Sequence, residues 1–205
     1  MNKWLIKFWV GDMMCKILKY LALTLACLWV SIANAAVISG NPAGNITMIF
    51  VYDYQCGYCH QIYPIVQQLE AEFPNLKVRM MPVAALNKTS LYEAAAAIAA
   101  TNTNQFWNFT NQVMNQGPMA DSQVTELLDQ MGINTKEFQN TMHSQAVNSQ
   151  LMQGQAVMQA SGHNNVPLFV IYPSELDPSH SIVVSGAQSM DIMAMAIQSV
   201  EKKLE

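Results

Sequence analysis

Cys56 and Cys59 stand two residues apart in Tyr54-Gln-Cys-Gly-Tyr-Cys-His60, and a pair at that spacing suits reversible closure of a short disulfide. Ile46 to Tyr54 is rich in β-branched and aromatic residues and predicts a buried strand. Beyond the cysteines, Ile62, Ile65, Val66, Leu69 and Phe73 recur at helical spacing. The junction falls at Cys56. A helix N-terminus there presents unpaired N–H groups and a positive dipole end, both of which favour a thiolate, so Cys56 is the expected nucleophile. Cys59 lies one turn on and on the same face, within reach of the first sulfur. As a mere staple the pair would achieve little, because so short a loop hardly constrains the unfolded chain.

The same residues spell two rival chemistries. Cys56-Gly-Tyr-Cys59-His60 matches the Cys-x-x-Cys-His haem attachment motif, and methionines for a sixth ligand abound. Two thiolates with His60 also make a soft set for Zn²⁺ or Cu⁺, as a non-enzymatic metal carrier would need. The expectation is neither metal nor cofactor, since most methionines fall at core positions and haem attachment explains none of the surrounding pattern. His60 is expected on the helix surface, where it modulates Cys56 electrostatically.

The elements around the pair begin with a short edge strand at Val37-Ile38 and a turn through Asn41 to Asn45. After the helix, Leu76 to Met81 predicts a second strand, parallel to the first because a helix separates them. From Ser90 to Ser161 the signals are helical. Ser90-x-x-Glu93 is the expected capping box of an alanine-rich helix, Phe106-Trp107 open the next, and Val124 to Met131 form a third. A fourth is expected to run unbroken from Asn134 through Phe138, Met142, Val147, Leu151 and Met158. Val166-Pro167 then leads into an apolar strand, followed by a strand over Ser181 to Gly186 and a terminal amphipathic helix. The fold class is α/β, with a helical insertion over roughly residues 86–162.

Lys16 and Lys19 precede an apolar run ending in Ala33-Asn-Ala35, a small-x-small cleavage pattern, so residues 1–35 read as a signal peptide and 36–205 as the working domain. Met13 or Met14 gives a more ordinary start. Cleavage would remove Cys15 and Cys27, leaving one pair of cysteines for an oxidising compartment. It would also leave six basic residues against thirteen acidic, a net charge of about −7, which argues against nucleic acid as a partner.

The whole pattern resembles the thioredoxin fold as built in the DsbA family of periplasmic thiol:disulfide oxidoreductases. Tyr54-Gln-Cys56-Gly-Tyr-Cys59-His60, the Phe106-Trp107 helix opening and Val166-Pro167 before a strand carry the resemblance. It implies catalysis by Cys56 and Cys59, tuning by the dipeptide Gly57-Tyr58, and a cis-proline loop at Val166-Pro167 that packs on the disulfide and binds the substrate peptide. It implies reduced secreted or outer-membrane proteins as substrates and a DsbB-like quinone-linked membrane oxidase as the recycling partner.

Two departures stand out. Where many relatives carry a buried carboxylate, six residues before the first cysteine, this chain has Phe50; strand alternation places Asp53 on the opposite face, as a solvated acid. Strongly oxidising members often have Pro-His where Gly57-Tyr58 stands, and Cys-Gly-Tyr-Cys-His also resembles DsbC-type isomerases. Those are dimers joined through a separate N-terminal domain. Only about ten residues separate the cleavage pattern from the core strand, so the expectation is a monomeric oxidant, with isomerase or reductase as the alternative.

Overall fold

A computed structural model describes residues 37–175 and 180–204; the leader expected over residues 1–35 lies outside the described residues. These form a five-stranded sheet, with β1 (Val37–Gly40), β2 (Ile46–Tyr52), β3 (Leu76–Pro82), β4 (Leu168–Pro173) and β5 (Ile182–Ser185) in the spatial order β1-β3-β2-β4-β5. β2 and β3 pair in parallel, as the intervening helix α1 (Gly57–Glu72) requires, and the remaining neighbours pair antiparallel. All seven residues of β2 are buried, the mark of a central strand covered on both faces.

Register places the site. Val51 stands opposite Leu168 in the antiparallel β2–β4 pair, so the chain leaving β2 toward Cys56 passes the chain entering β4 from Val166-Pro167. Two segments over a hundred residues apart in sequence are thereby held side by side at one edge of the sheet.

Among the described residues, five α-helices lie between β3 and β4: α2 (Lys88–Ala100), α3 (Phe106–Gln116), α4 (Asp121–Gln130), α5 (Lys136–Met142) and α6 (Gln145–Ser161). α7 (Met190–Glu201) closes the chain and packs on α1, β2, β4 and β5. α2 is the hub of the inserted helices. Ala94 to Ala100 are all buried, and these small side chains hold a helix at little entropic cost while α3, α4, α5 and α6 pack against it.

Two sequence expectations are corrected here. The capping box of α2 is Asn87 with Ser90, not Ser90 with Glu93: Asn87 Oδ1 accepts from Ser90 N at 2.9 Å, and Ser90 Oγ accepts from Asn87 N at 3.2 Å. The expected fourth helix is two, because the Ser144 hydroxyl accepts from Val147 N and starts α6 afresh, while Thr135 rather than Asn134 caps α5. At α2 the cap that won stands one helical turn before the motif read from sequence, and at α5 one residue after it.

Gly154 marks where α6 meets the sheet. A Cβ there would stand 2.3 Å from Val83 Cγ1 and 3.3 Å from Met81 Cγ. Val83 is buried and stiff at χ1, so Gly154→Leu is expected to lower stability in urea by about 3 kcal/mol through overpacking. Unchanged stability would mean that the contact yields freely.

Candidate active site

Cys56 is the N-cap of α1, with extended backbone at φ −91° and ψ 109°. Its position follows from the turn before it, where Cys56 N donates to Asp53 O at 3.0 Å, and from the first helical turn, where Cys59 N and His60 N both donate to Cys56 O. Cys56 keeps 7% of its surface open and Cys59 none, and both are free thiols. The two sulfurs therefore have different work available to them: only the first can meet a partner from outside.

Their acidities diverge in the same sense. The Cys56 thiol is lowered to about 6, chiefly by the Cys59 thiol donating to it and further by the N–H groups of Cys59 and Tyr58, against an opposing push from burial and from the Asp53 charge. Burial drives the Cys59 thiol well above the ordinary range, and the neighbouring Cys56 sulfur adds to the rise. At neutral pH the reduced pair is thus one thiolate and one thiol. That is the state from which disulfide exchange begins.

The Val166–Pro167 bond is cis, and the Cys56 thiol lies 3.5 Å from Val166 O. Gly186 N donates to Pro167 O at 2.8 Å, anchoring the loop to β5. Gly57 opens the helix with open space around its Cα, and the Tyr58 side chain is largely exposed beside the nucleophile. The thiol pair, Gly57-Tyr58 and the Val166-Pro167 loop are thus brought together at one edge of the sheet.

Phe50 is fully buried and stacks on Tyr52 and on Phe169, with ring centroids at 4.7 and 4.9 Å. That strand position therefore supplies no carboxylate beneath the cysteines. Asp53, however, is not the solvated acid that alternation predicts: it is completely buried. β2 ends at Tyr52, so alternation no longer applies, and the β3–α2 loop closes over the side chain. Asp53 Oδ1 accepts from Gln55 N at 2.8 Å, and Oδ2 from Ala85 N and Leu86 N at 2.8 and 3.1 Å.

His60 is likewise corrected from a surface residue to a half-buried strut. Its Nδ1 lies 2.9 Å from Met114 O and its Nε2 2.6 Å from Tyr54 O, joining the cysteine turn to the end of α3. Both ring nitrogens face carbonyl oxygens, which leaves no lone pair directed toward a metal or haem iron. With Cys59 fully enclosed, the geometry fits neither the haem reading nor the metal-carrier reading.

Sequence reasoning gave Gln55 and Glu93 no part in the site. Gln55 Nε2 donates both to Glu93 Oε2 at 3.0 Å and to Met119 O at 2.7 Å. The signal was there in part: Glu93 directly precedes an unbroken run of small apolar residues, where an acid has no reason to be unless it meets a partner.

The thioredoxin family model Thioredoxin_4 matches residues 33–184. No curated protein sequence matches the chain. Among solved structures it is similar to a thioredoxin-like oxidoreductase from Silicibacter pomeroyi DSS-3, at 26% identity and a TM-score of 0.71 over 82% of this chain and 92% of that one. It is similar in fold to the thiol-disulfide exchange protein alpha-DsbA2 from Wolbachia pipientis, with 18% identity and a TM-score of 0.66 over 80% and 86% of the two chains. DsbA2 from Pseudomonas aeruginosa aligns over 83% of this chain and 97% of its own, at 15% identity and a TM-score of 0.65. Matched over most of its length and carrying the thiol pair where its first long helix begins, the chain belongs to the thioredoxin family, with a fold similar to that of the DsbA2 proteins.

Proposed function

We propose that this protein introduces disulfide bonds into secreted proteins in the periplasm, as an oxidant that works as a monomer. The observation that carries this reading is the split between the two sulfurs: a partly open Cys56 lowered to about 6 beside an enclosed Cys59 pushed the other way. A stabilised thiolate favours the reduced enzyme, and an enzyme that prefers to be reduced gives its disulfide away.

In the cycle, a substrate thiolate attacks Cys56 Sγ of the disulfide and Cys59 leaves as a thiolate that takes a proton. The substrate's second thiolate then attacks its own half of the mixed disulfide, releasing Cys56 as a thiolate. Two electrons pass from substrate to enzyme and no cofactor beyond the cysteine pair is needed. The Val166-Pro167 loop, beside Cys56, is the expected seat of the substrate backbone, with the exposed Tyr58 ring as an apolar contact and His60 holding the cysteine turn. Substrates would be reduced secreted or outer-membrane proteins. A DsbB-like quinone-linked membrane oxidase would restore the disulfide. Among the described residues no helix is long and apolar enough to cross a membrane.

The test is the reduction potential against glutathione. With Cys56 lowered from 9.0 to about 6, the thiolate stabilises the reduced protein fully above pH 9 and that gain fades as pH falls through about 6. A potential above about −200 mV at pH 7 is expected, between the reference values of about −120 mV for DsbA and −270 mV for thioredoxin. A result near the thioredoxin value would instead favour the reductase or isomerase reading, which the Gly57-Tyr58 dipeptide also suits.

A further inference from the structure

Glu93 belongs to the inserted helices, yet it touches the turn that carries the nucleophile. It is completely buried. Its Oε2 accepts from the carboxamide of Gln55, the residue immediately before Cys56, while the same nitrogen donates to Met119 O in the α3–α4 loop. Its Oε1 has no hydrogen-bond partner among the described residues. A buried carboxylate with one oxygen unpaired is poorly held in its charged form.

Burial accordingly raises Glu93 to about 7; the Gln55 hydrogen bond and the nearby Met119 backbone N–H work against the rise, and the Asp53 and Asp121 charges add to it. The charged or titratable groups that face it are Asp53 from the cysteine turn, Asp121 at the start of α4 and the phenol of Tyr54. All three are acids, so a further negative charge nearby can only strengthen its hold on a proton.

We propose that Glu93 is a positioning residue of the redox site which, acting through the Gln55 carboxamide, takes up a proton when the Cys56–Cys59 disulfide is reduced. This rests on the disulfide-exchange reading above. A substrate dithiol gives up two electrons and two protons as its own S–S bond forms. The enzyme's S–S bond breaks, Cys59 keeps one proton as a thiol, and Cys56 remains a thiolate. One proton is left over. Where Glu93 is ionised in the oxidised enzyme, the new charge on Cys56 makes its protonated form the favoured one and the spare proton goes there. At lower pH Glu93 already holds a proton, and the spare one passes to water.

The consequence is a redox equilibrium with an extra dependence on pH. Gln55 would also be held more tightly by a carboxylate than by a carboxylic acid, so the helices of the insertion would register the redox state of the pair. Glu93→Gln separates the two effects, because its amide oxygen still accepts from Gln55 while the group no longer titrates.

The experiment is the equilibrium constant with glutathione for wild type and Glu93→Gln across the neutral range, with Cys56 ionisation read separately from thiolate absorbance. Wild type is expected to change by a further factor of about five relative to the variant between about pH 6 and 8. Superimposable curves would overturn the proposal. Failure of wild type to equilibrate with glutathione at any pH would instead sink the disulfide-exchange reading itself. Should Glu93→Gln fail to fold, the reduced-minus-oxidised infrared difference spectrum of wild type decides at about pH 7.5. A protonated-carboxyl band gained on reduction supports proton uptake; its absence overturns it.

Discussion

Replacing Cys56 by serine is expected to lower oxidation of a reduced client protein by at least about a thousandfold; Cys59→Ser, which has no disulfide to donate either, should abolish it too but, given an oxidised client, should stop at the mixed disulfide. The two substitutions are chemically alike, so their different outcomes report the environments. Cys56 holds the surface opening, the thiolate and the neighbouring Val166 carbonyl. Its hydroxyl replacement cannot ionise near neutral pH or form a disulfide. Cys59 is enclosed and meets Cys56 and the backbone at Asp53 rather than solvent. With a serine in its place, the Cys56 thiolate still attacks the S–S bond of an oxidised client, forming a mixed disulfide and expelling a client thiolate, but the enzyme has no second thiol to release the adduct. A mixed-disulfide band should therefore accumulate on a non-reducing gel with Cys59→Ser and be missing with Cys56→Ser. Activity left intact in Cys56→Ser would refute the assignment.

Asp53→Ala is expected to cost about 3–5 kcal/mol of stability while making the enzyme a stronger oxidant. The first effect comes from three N–H groups, those of Gln55, Ala85 and Leu86, which would lose their common acceptor. The second comes from charge. Asp53 pushes the Cys56 thiol upward, so removing it should lower that thiol further and raise the reduction potential. Asp53→Asn should not rescue stability, since its NH₂ group would face one or two backbone donors. Urea unfolding of the reduced protein measures the first effect and thiolate absorbance the second. A stable variant, or a Cys56 that titrates no lower, would show that the carboxylate does not hold the turn as described.

These two substitutions also divide what can be read at different levels. The strand, the Cys-x-x-Cys pair and the helix after it were legible because each rests on neighbours in sequence: an apolar run of β-branched residues, a change to helical spacing at Cys56, and a dipole end that favours a thiolate. Val166-Pro167 was legible only by resemblance, since a single X-Pro bond carries no such signal. Gly117 and Gly132, which follow two of the inserted helices, take the left-handed backbone that glycine permits, with φ of 94° and 69°.

Helix starts were less legible, because Asn87 and Ser144 competed with equally plausible caps nearby. The residues that surround the cysteines were hardly legible at all. Asp53, His60 and Glu93 are polar groups whose surroundings are set by Ala85, Met114 and Gln55, each brought in by chain reversals that no local pattern announces. A periodicity argument says which face of an element is apolar. It does not say which loop will fold over its end, and there the tertiary structure decided.

The sequence by itself thus determined the reactive pair, the elements that hold it and the α/β class, because hydrophobic periodicity and helix-end electrostatics act over a few residues. Only the tertiary structure decided that one acid is caged by backbone N–H groups, that another is buried with an unpaired oxygen, and that the histidine is a strut. Desolvation and hydrogen bonding at those groups depend on atoms 32 to 54 residues away along the chain, and burial is a property of the packed fold rather than of any segment.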